Sequence, residues 1–125
     1  MAGTYEKLIR LLENYGEVLT EHIGEKSVIM SETESYTDEY IYERDMSWLK
    51  ESDLVIAEVT TPSLGVGYEI RYAVETNKPV LALYHEEAGH KLSAMISGCT
   101  DIKLYKYNQF EDLKNIIEEF IRSTS

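Results

Sequence analysis

Leu54-Val55-Ile56-Ala57-Glu58-Val59-Thr60-Thr61-Pro62-Ser63-Leu64-Gly65-Val66-Gly67-Tyr68-Glu69 is the stretch whose reading decides the fold. Its first four residues form a short, continuous apolar run, the pattern of a strand covered on both faces. Thr60-Thr61-Pro62-Ser63 reads as a turn, and a helix is expected from about Leu64 to Thr76. A buried strand that passes through a tight turn into a helix is half of a crossover between parallel strands.

Downstream the pattern repeats. Asn77-Lys78-Pro79 is a turn, and Val80-Leu81-Ala82-Leu83-Tyr84 is a second buried strand. A polar loop runs from His85 to about His90, a short helix lies near Leu92 to Ile96, and Ile102-Lys103-Leu104-Tyr105 reads as an edge-like strand. Phe110 to Arg122 is an amphipathic helix whose first turn carries Glu111 and Asp112, where negative charge complements the helix dipole. Upstream, Tyr5, Leu8, Ile9, Leu11 and Leu12 recur at helical spacing between Thr4, an N-cap, and Tyr15, with Gly16 as the stop. Glu17-Val18-Leu19-Thr20 reads as a strand, and Glu21 to Glu34 as a polar loop or lid. A helix from about Tyr36 to Lys50, with Ile41, Met46, Trp48 and Leu49 as packing residues, is broken by Ser52-Asp53. This alternation predicts an α/β three-layer sandwich with a parallel sheet, flavodoxin- or Rossmann-like. Without repeats, linkers or low-complexity tracts, residues 1–125 are expected to form a single domain.

Composition narrows the function classes. The 125 residues are 43% hydrophobic and 28% charged, an ordinary globular composition. A formal net charge of −11 repels polyphosphate backbones, which argues against nucleic-acid binding but not against a small phosphate ligand held by backbone N–H groups. One cysteine, Cys99, excludes an internal disulfide and reads as a small packing residue. His22, His85 and His90 read as surface histidines, since a zinc site needs more ligands than they offer. With no membrane-length apolar stretch and no secretory signal, the expected location is the cytoplasm. Tyr68, Tyr84, Tyr105 and Tyr107 fall at strand ends or helix rims, where the ring packs and the hydroxyl meets water.

In open parallel sheets, ligands bind beyond the carboxyl ends of the strands, so the turn after Ala57 is the place to look. Ser63 follows a proline and precedes a helix, the setting of an N-cap or an anion ligand. Gly65 and Gly67 either expose backbone to a phosphate or permit tight strand-to-helix packing, and Glu69 is expected within the first helical turn. This is neither a dinucleotide fingerprint, because Ile70 stands where a third glycine is required, nor a P-loop. A second carboxylate, Asp45, lies on the preceding helix with Tyr42 and Trp48 one turn either side. If Asp45 and Glu69 converge, they supply the nucleophile and the proton-handling group that glycosidic chemistry uses. The alternative is that both are solvated, in a chain with 23 acidic residues. The acidic, tyrosine-rich run from Glu32 to Glu43 is either a lid or a solvated helix face.

Tyr42-Glu43-Arg44-Asp45-Met46-Ser47-Trp48-Leu49, Ser52 to Thr60, and Pro62 to Glu69 together resemble the nucleoside 2-deoxyribosyltransferase superfamily, in particular its 2′-deoxynucleoside 5′-phosphate N-hydrolase branch. Leu92-Ser93-Ala94-Met95-Ile96 and Leu19-Thr20-Glu21-His22 resemble the same branch. The resemblance implies hydrolysis of the N-glycosidic bond of a deoxynucleoside 5′-monophosphate by a retaining mechanism. Glu69 would be the nucleophile, carrying a covalent deoxyribosyl intermediate, and Asp45 would assist departure of the base. Ser63 with Gly65 and Gly67 would hold the 5′-phosphate, and Tyr42 would face the base, where that branch often has histidine. Ser93, Ala94 and Met95 would reach a neighbouring subunit's site, which implies a homodimer, and no metal or organic cofactor is called for. Base transfer and a non-catalytic nucleotide-binding domain of the same fold are the alternatives. The family opens with a strand and a glycine-rich loop around the sugar phosphate; here Met1-Ala2-Gly3 leads directly into the first helix, so that strand is expected to be missing from the chain as it stands.

Overall fold

The computed structural model describes residues 36–89 and 91–124. The expected helix from Thr4 to Tyr15, the strand Glu17 to Thr20, the loop Glu21 to Glu34, the question of a strand before Thr4, and His22 and His90 all lie outside those residues. The chain divides into two compact units, Met1–Ser52 and Asp53–Ser125.

In the first unit, helix α1 spans Asp38–Glu51. Thr37 is its N-cap, and the Thr37 hydroxyl accepts a hydrogen bond from the Tyr40 N–H at 3.0 Å. Asp38 and Glu39 sit in the first turn and Lys50 in the last, the arrangement the helix dipole favours. Of the expected packing residues, Met46 and Leu49 are buried, whereas Ile41 and Trp48 are half-buried. Ser52 ends the helix, with both its N–H and its hydroxyl donating to the Leu49 carbonyl.

The second unit is a parallel sheet of β1 (Val55–Glu58), β2 (Val80–His85) and β3 (Ile102–Tyr107), ordered β1-β2-β3 among the described residues. The crossovers carry α2 (Leu64–Glu75) and the short α3 (Ala94–Ser97), and α4 (Phe110–Thr124) follows β3. Val80 to Tyr84 are all buried, as the uninterrupted apolar run requires of a strand paired on both edges and covered on both faces. The expectation of equal burial fails for β1. Val55, Ile56 and Ala57 are only half-buried, and among the described strands β1 pairs with β2 alone.

Register assigns the two faces. Val55 pairs with Val80 and Val80 with Ile102, so Val55, Ala57 and Val59 share a face with Val80, Ala82, Tyr84 and Ile102. Ile70 and Ala73 of α2 belong to the same core, and Leu92, Ile96 and Cys99 pack against it. Leu81 and Leu83 point to the opposite face and are equally sealed, each with no exposed surface. Helix α4 packs along β3 and buries Leu113, Ile117 and Phe120, a stripe of i, i+4, i+7 spacing.

The stop of α2 was readable only in part. Asn77 adopts a left-handed φ of 62°, its N–H donates to the Val74 carbonyl at 3.1 Å, and the next N–H, Lys78, donates to Ala73 at 2.8 Å. This double bond pattern is a Schellman closure with asparagine in the place glycine usually takes, and Pro79 then prevents further helix.

Candidate active site at the carboxyl ends of the strands

The strand ends Glu58, His85 and Tyr107 lie at one edge of the second unit, with the β1–α2 turn rising between them and α2. Ser63 is the N-cap of α2, and its hydroxyl oxygen accepts from the Val66 N–H at 3.3 Å. The N–H groups of Leu64 and Gly65 precede the helix's own ladder and are the orphan donors of this terminus. The Gly67 N–H is not one of them, for it donates to the Ser63 carbonyl at 3.1 Å. A β-carbon placed on Gly67 would meet nothing within 4 Å, so tight packing does not explain this glycine.

Glu69 is the sixth residue of α2, which has no acid in its first turn. The expectation of a first-turn position is therefore corrected: Ser63 starts the helix at Leu64, and Glu69 falls in the second turn. It is half-buried, beside the fully packed Ile70. At about 100° per residue, Gly65 lies one turn before Glu69 on the same flank, whereas Gly67 lies on the opposite flank. The Cα–Cβ bond of a helical residue tilts toward the N-terminus, so Glu69 and Gly65 share one side of the helix head.

Ser93 is the N-cap of α3, its hydroxyl accepting from the Met95 N–H at 3.2 Å. Leu92 and Ile96 anchor this short helix on the core, which leaves Ser93, Ala94 and Met95 outward, Met95 with 83% of its surface exposed. Ser63, Gly65, Gly67 and Glu69 are thus brought together on one helix head, and Ser93, Ala94 and Met95 on another element of the same unit.

Asp45 and Tyr42 belong to α1 in the first unit. The Arg44 Nε donates to the Asp45 Oδ1 at 3.1 Å, and both side chains are largely covered. The Arg44 guanidinium lies 4.7 Å from the Trp48 ring centroid and 5.6 Å from that of Tyr36, a cation–π arrangement that fixes the fork beside the carboxylate. Tyr42 is half exposed.

One cluster was not foreseen in the sequence. Glu58 is 5% exposed, Thr60 2% and Tyr107 1%. The Glu58 carboxylate accepts from the Thr60 N–H and hydroxyl, at 2.8 and 2.7 Å, and from the Tyr107 hydroxyl. Tyr107 therefore does not place its hydroxyl in water, contrary to expectation. The available signal was an acid interrupting an apolar strand with threonine two residues on. His85, expected at the surface, is half-buried, with its ring edge-on to Tyr107 at 5.0 Å. Among the described residues no group of three or more His, Cys, Asp or Glu is arranged to hold a metal ion, and no helix is long and apolar enough to cross a membrane.

The sequence profile of the nucleoside 2-deoxyribosyltransferase family matches residues 2–118. The chain belongs to that family. A Nematostella vectensis protein provisionally named 2′-deoxynucleoside 5′-phosphate N-hydrolase 1 is 46% identical over 125 residues, covering 98% of this chain and 85% of the relative. The 5-hydroxymethyl-dUMP N-hydrolase of Esox lucius is 39% identical over 125 residues, covering 97% of this chain and 86% of the relative. The structure of the Clostridium botulinum CMP N-glycosidase superposes with a TM-score of 0.68 at 22% identity, over 94% of this chain and 88% of that one, and shares the α/β fold of this family member.

Proposed function

We propose that this chain is an N-glycosidase that hydrolyses 2′-deoxynucleoside 5′-monophosphates, with residues 1–125 acting as one catalytic domain. The observation that carries the reading is Glu69 on α2, one turn behind a capped helix start, in a chain of the 2-deoxyribosyltransferase family. The Ser63 hydroxyl and the N–H groups of Leu64 and Gly65 hold the 5′-phosphate, as a helix N-terminus favours an anion. Because the Gly67 N–H is engaged within the helix, the phosphate site rests on Gly65 rather than on both glycines.

In the first step the Glu69 carboxylate attacks C1′ of the sugar, the C1′–N bond breaks, and its electron pair leaves with the base, which takes up a proton. Asp45, oriented by Arg44, assists that departure, with Tyr42 beside the base. In the second step water attacks C1′, the ester to Glu69 opens, and 2-deoxyribose 5-phosphate leaves with retained configuration. No metal or organic cofactor takes part. Hydrolysis is preferred to base transfer because the relatives are named for hydrolysis. The enzyme works in the cytoplasm as a homodimer, with Ser93, Ala94 and the exposed Met95 completing the partner's site.

Incubation with 5-hydroxymethyl-dUMP and with deoxyguanosine monophosphate is expected to release free base and 2-deoxyribose 5-phosphate. Glu69→Ala should abolish release, and an acid-quenched reaction should carry the deoxyribosyl phosphate mass on the peptide containing Glu69. Undiminished release by Glu69→Ala would sink the assignment of the nucleophile.

A further inference from the structure

We propose that Glu58 is a positioning residue whose buried carboxylate sets the phosphate affinity of the turn between β1 and α2. This rests on the reading of Ser63 and Gly65 as the phosphate site, and it adds a residue that touches no substrate.

Glu58 pairs with Leu83 in the sheet and shares the face of Leu81, Leu83, His85 and Tyr107, opposite the face that α2 covers. From there it holds the turn from behind. Its Oε1 accepts from the Thr60 N–H, and its Oε2 from the Thr60 and Tyr107 hydroxyls. The Thr60 hydroxyl oxygen in turn accepts from the His85 N–H at 2.9 Å. The second residue of the turn is thus tied to the ends of β2 and β3, although Tyr107 is 49 residues away from Glu58.

Three donors converging on two oxygens ask for a group that only accepts, which a carboxylate is and an amide is not. A valine here would continue the apolar run and avoid the cost of a buried charge. The acid instead immobilises the backbone of Thr60, three residues before Ser63. The body of α2 has its own anchors, Ile70 and Ala73, with 2% and no exposure. Loosening Thr60 therefore displaces the phosphate donors at the helix head while Glu69 keeps its place. The clamp acts on binding of the phosphate and leaves the bond-breaking step nearly untouched.

The test separates binding from turnover in the full-length chain. Dissociation constants for 5-hydroxymethyl-dUMP are measured by calorimetry in a Glu69→Gln background, and base release is measured with Glu69 intact. Thr60→Val and Glu58→Gln are expected to weaken binding roughly ten-fold, the scale of one lost hydrogen bond to a charged group. They should lower kcat less than about three-fold, and Thr60→Ser, which keeps the hydroxyl, should restore affinity. A merely structural role would lower the melting temperature and the folded fraction at unchanged Kd and KM. Should the larger changes not fold, Tyr107→Phe and Thr60→Ser carry the same contrast with one atom or one methyl removed. Unchanged affinity in every folded variant overturns the inference. Base release without it leaves the proposed reaction standing. Weakened binding by the variants, with no base release by the parent enzyme, supports the clamp and overturns the reaction. A parent chain that neither binds nor cleaves the nucleotide overturns both.

Discussion

Gly67→Ala puts a number on the description of the α2 head. Glycine in a helix interior costs about 0.5–1 kcal/mol relative to alanine, because it gives up more backbone freedom on folding. That gain is realised only if the new methyl group fits, and a β-carbon at Gly67 has nothing within 4 Å. For a chain of 125 residues the unfolding entropy scale is such that this gain raises Tm by about 2–4 °C. Because Gly67 lies on the flank of α2 away from Glu69, kcat/KM for the nucleotide should stay within about two-fold, a few tenths of a kcal/mol. Gly65→Ala is the counterpart on the Glu69 flank and should lose at least about ten-fold, ~1.4 kcal/mol. Thermal melts followed by circular dichroism, with base release by chromatography, read both. A lower Tm for Gly67→Ala would refute the open space at this position. Equal activities for the two variants would refute the assignment of the Gly65 flank to substrate.

Ser63→Ala removes the N-cap bond to Val66 and should destabilise the fold by about 1 kcal/mol in a denaturant titration while also raising KM. Ile117→Ala truncates a side chain with no exposed surface and should cost about 2–5 kcal/mol in the same measurement, with the kinetic constants of the surviving folded enzyme unaltered. Asn77→Val forces a β-branched residue into a left-handed φ of 62° and should lose about 1–2 kcal/mol, whereas Asn77→Gly should be nearly neutral.

What could be read from the chain was whatever is encoded locally. Val80 to Tyr84 and the spacing of Leu113, Ile117 and Phe120 declare their burial by their own pattern. Ser63 declares the start of α2, because the cap and the following residues are adjacent in sequence. The partial burial of Val55 to Ala57 was not legible, since it depends on what packs around them and not on those residues. The start of α2 at Leu64 agrees with the expectation, and Glu69 lies in the second turn by count, since it is the sixth helical residue and a turn holds 3.6. The bond from Tyr107 to Glu58 was invisible for the same reason as β1: it joins residues from different strands, and neither carries a mark of the other.

The packed face of α2 also sets a rule for sequence drift. Ile70 and Ala73 lock the rotational phase of the helix against the sheet. One residue inserted or deleted between Ser63 and Glu69 would swing either the cap or the acid by about 100° around the axis. The number of residues between these two positions should therefore be invariant among relatives that keep the chemistry, even where Leu64, Val66 and Tyr68 are exchanged.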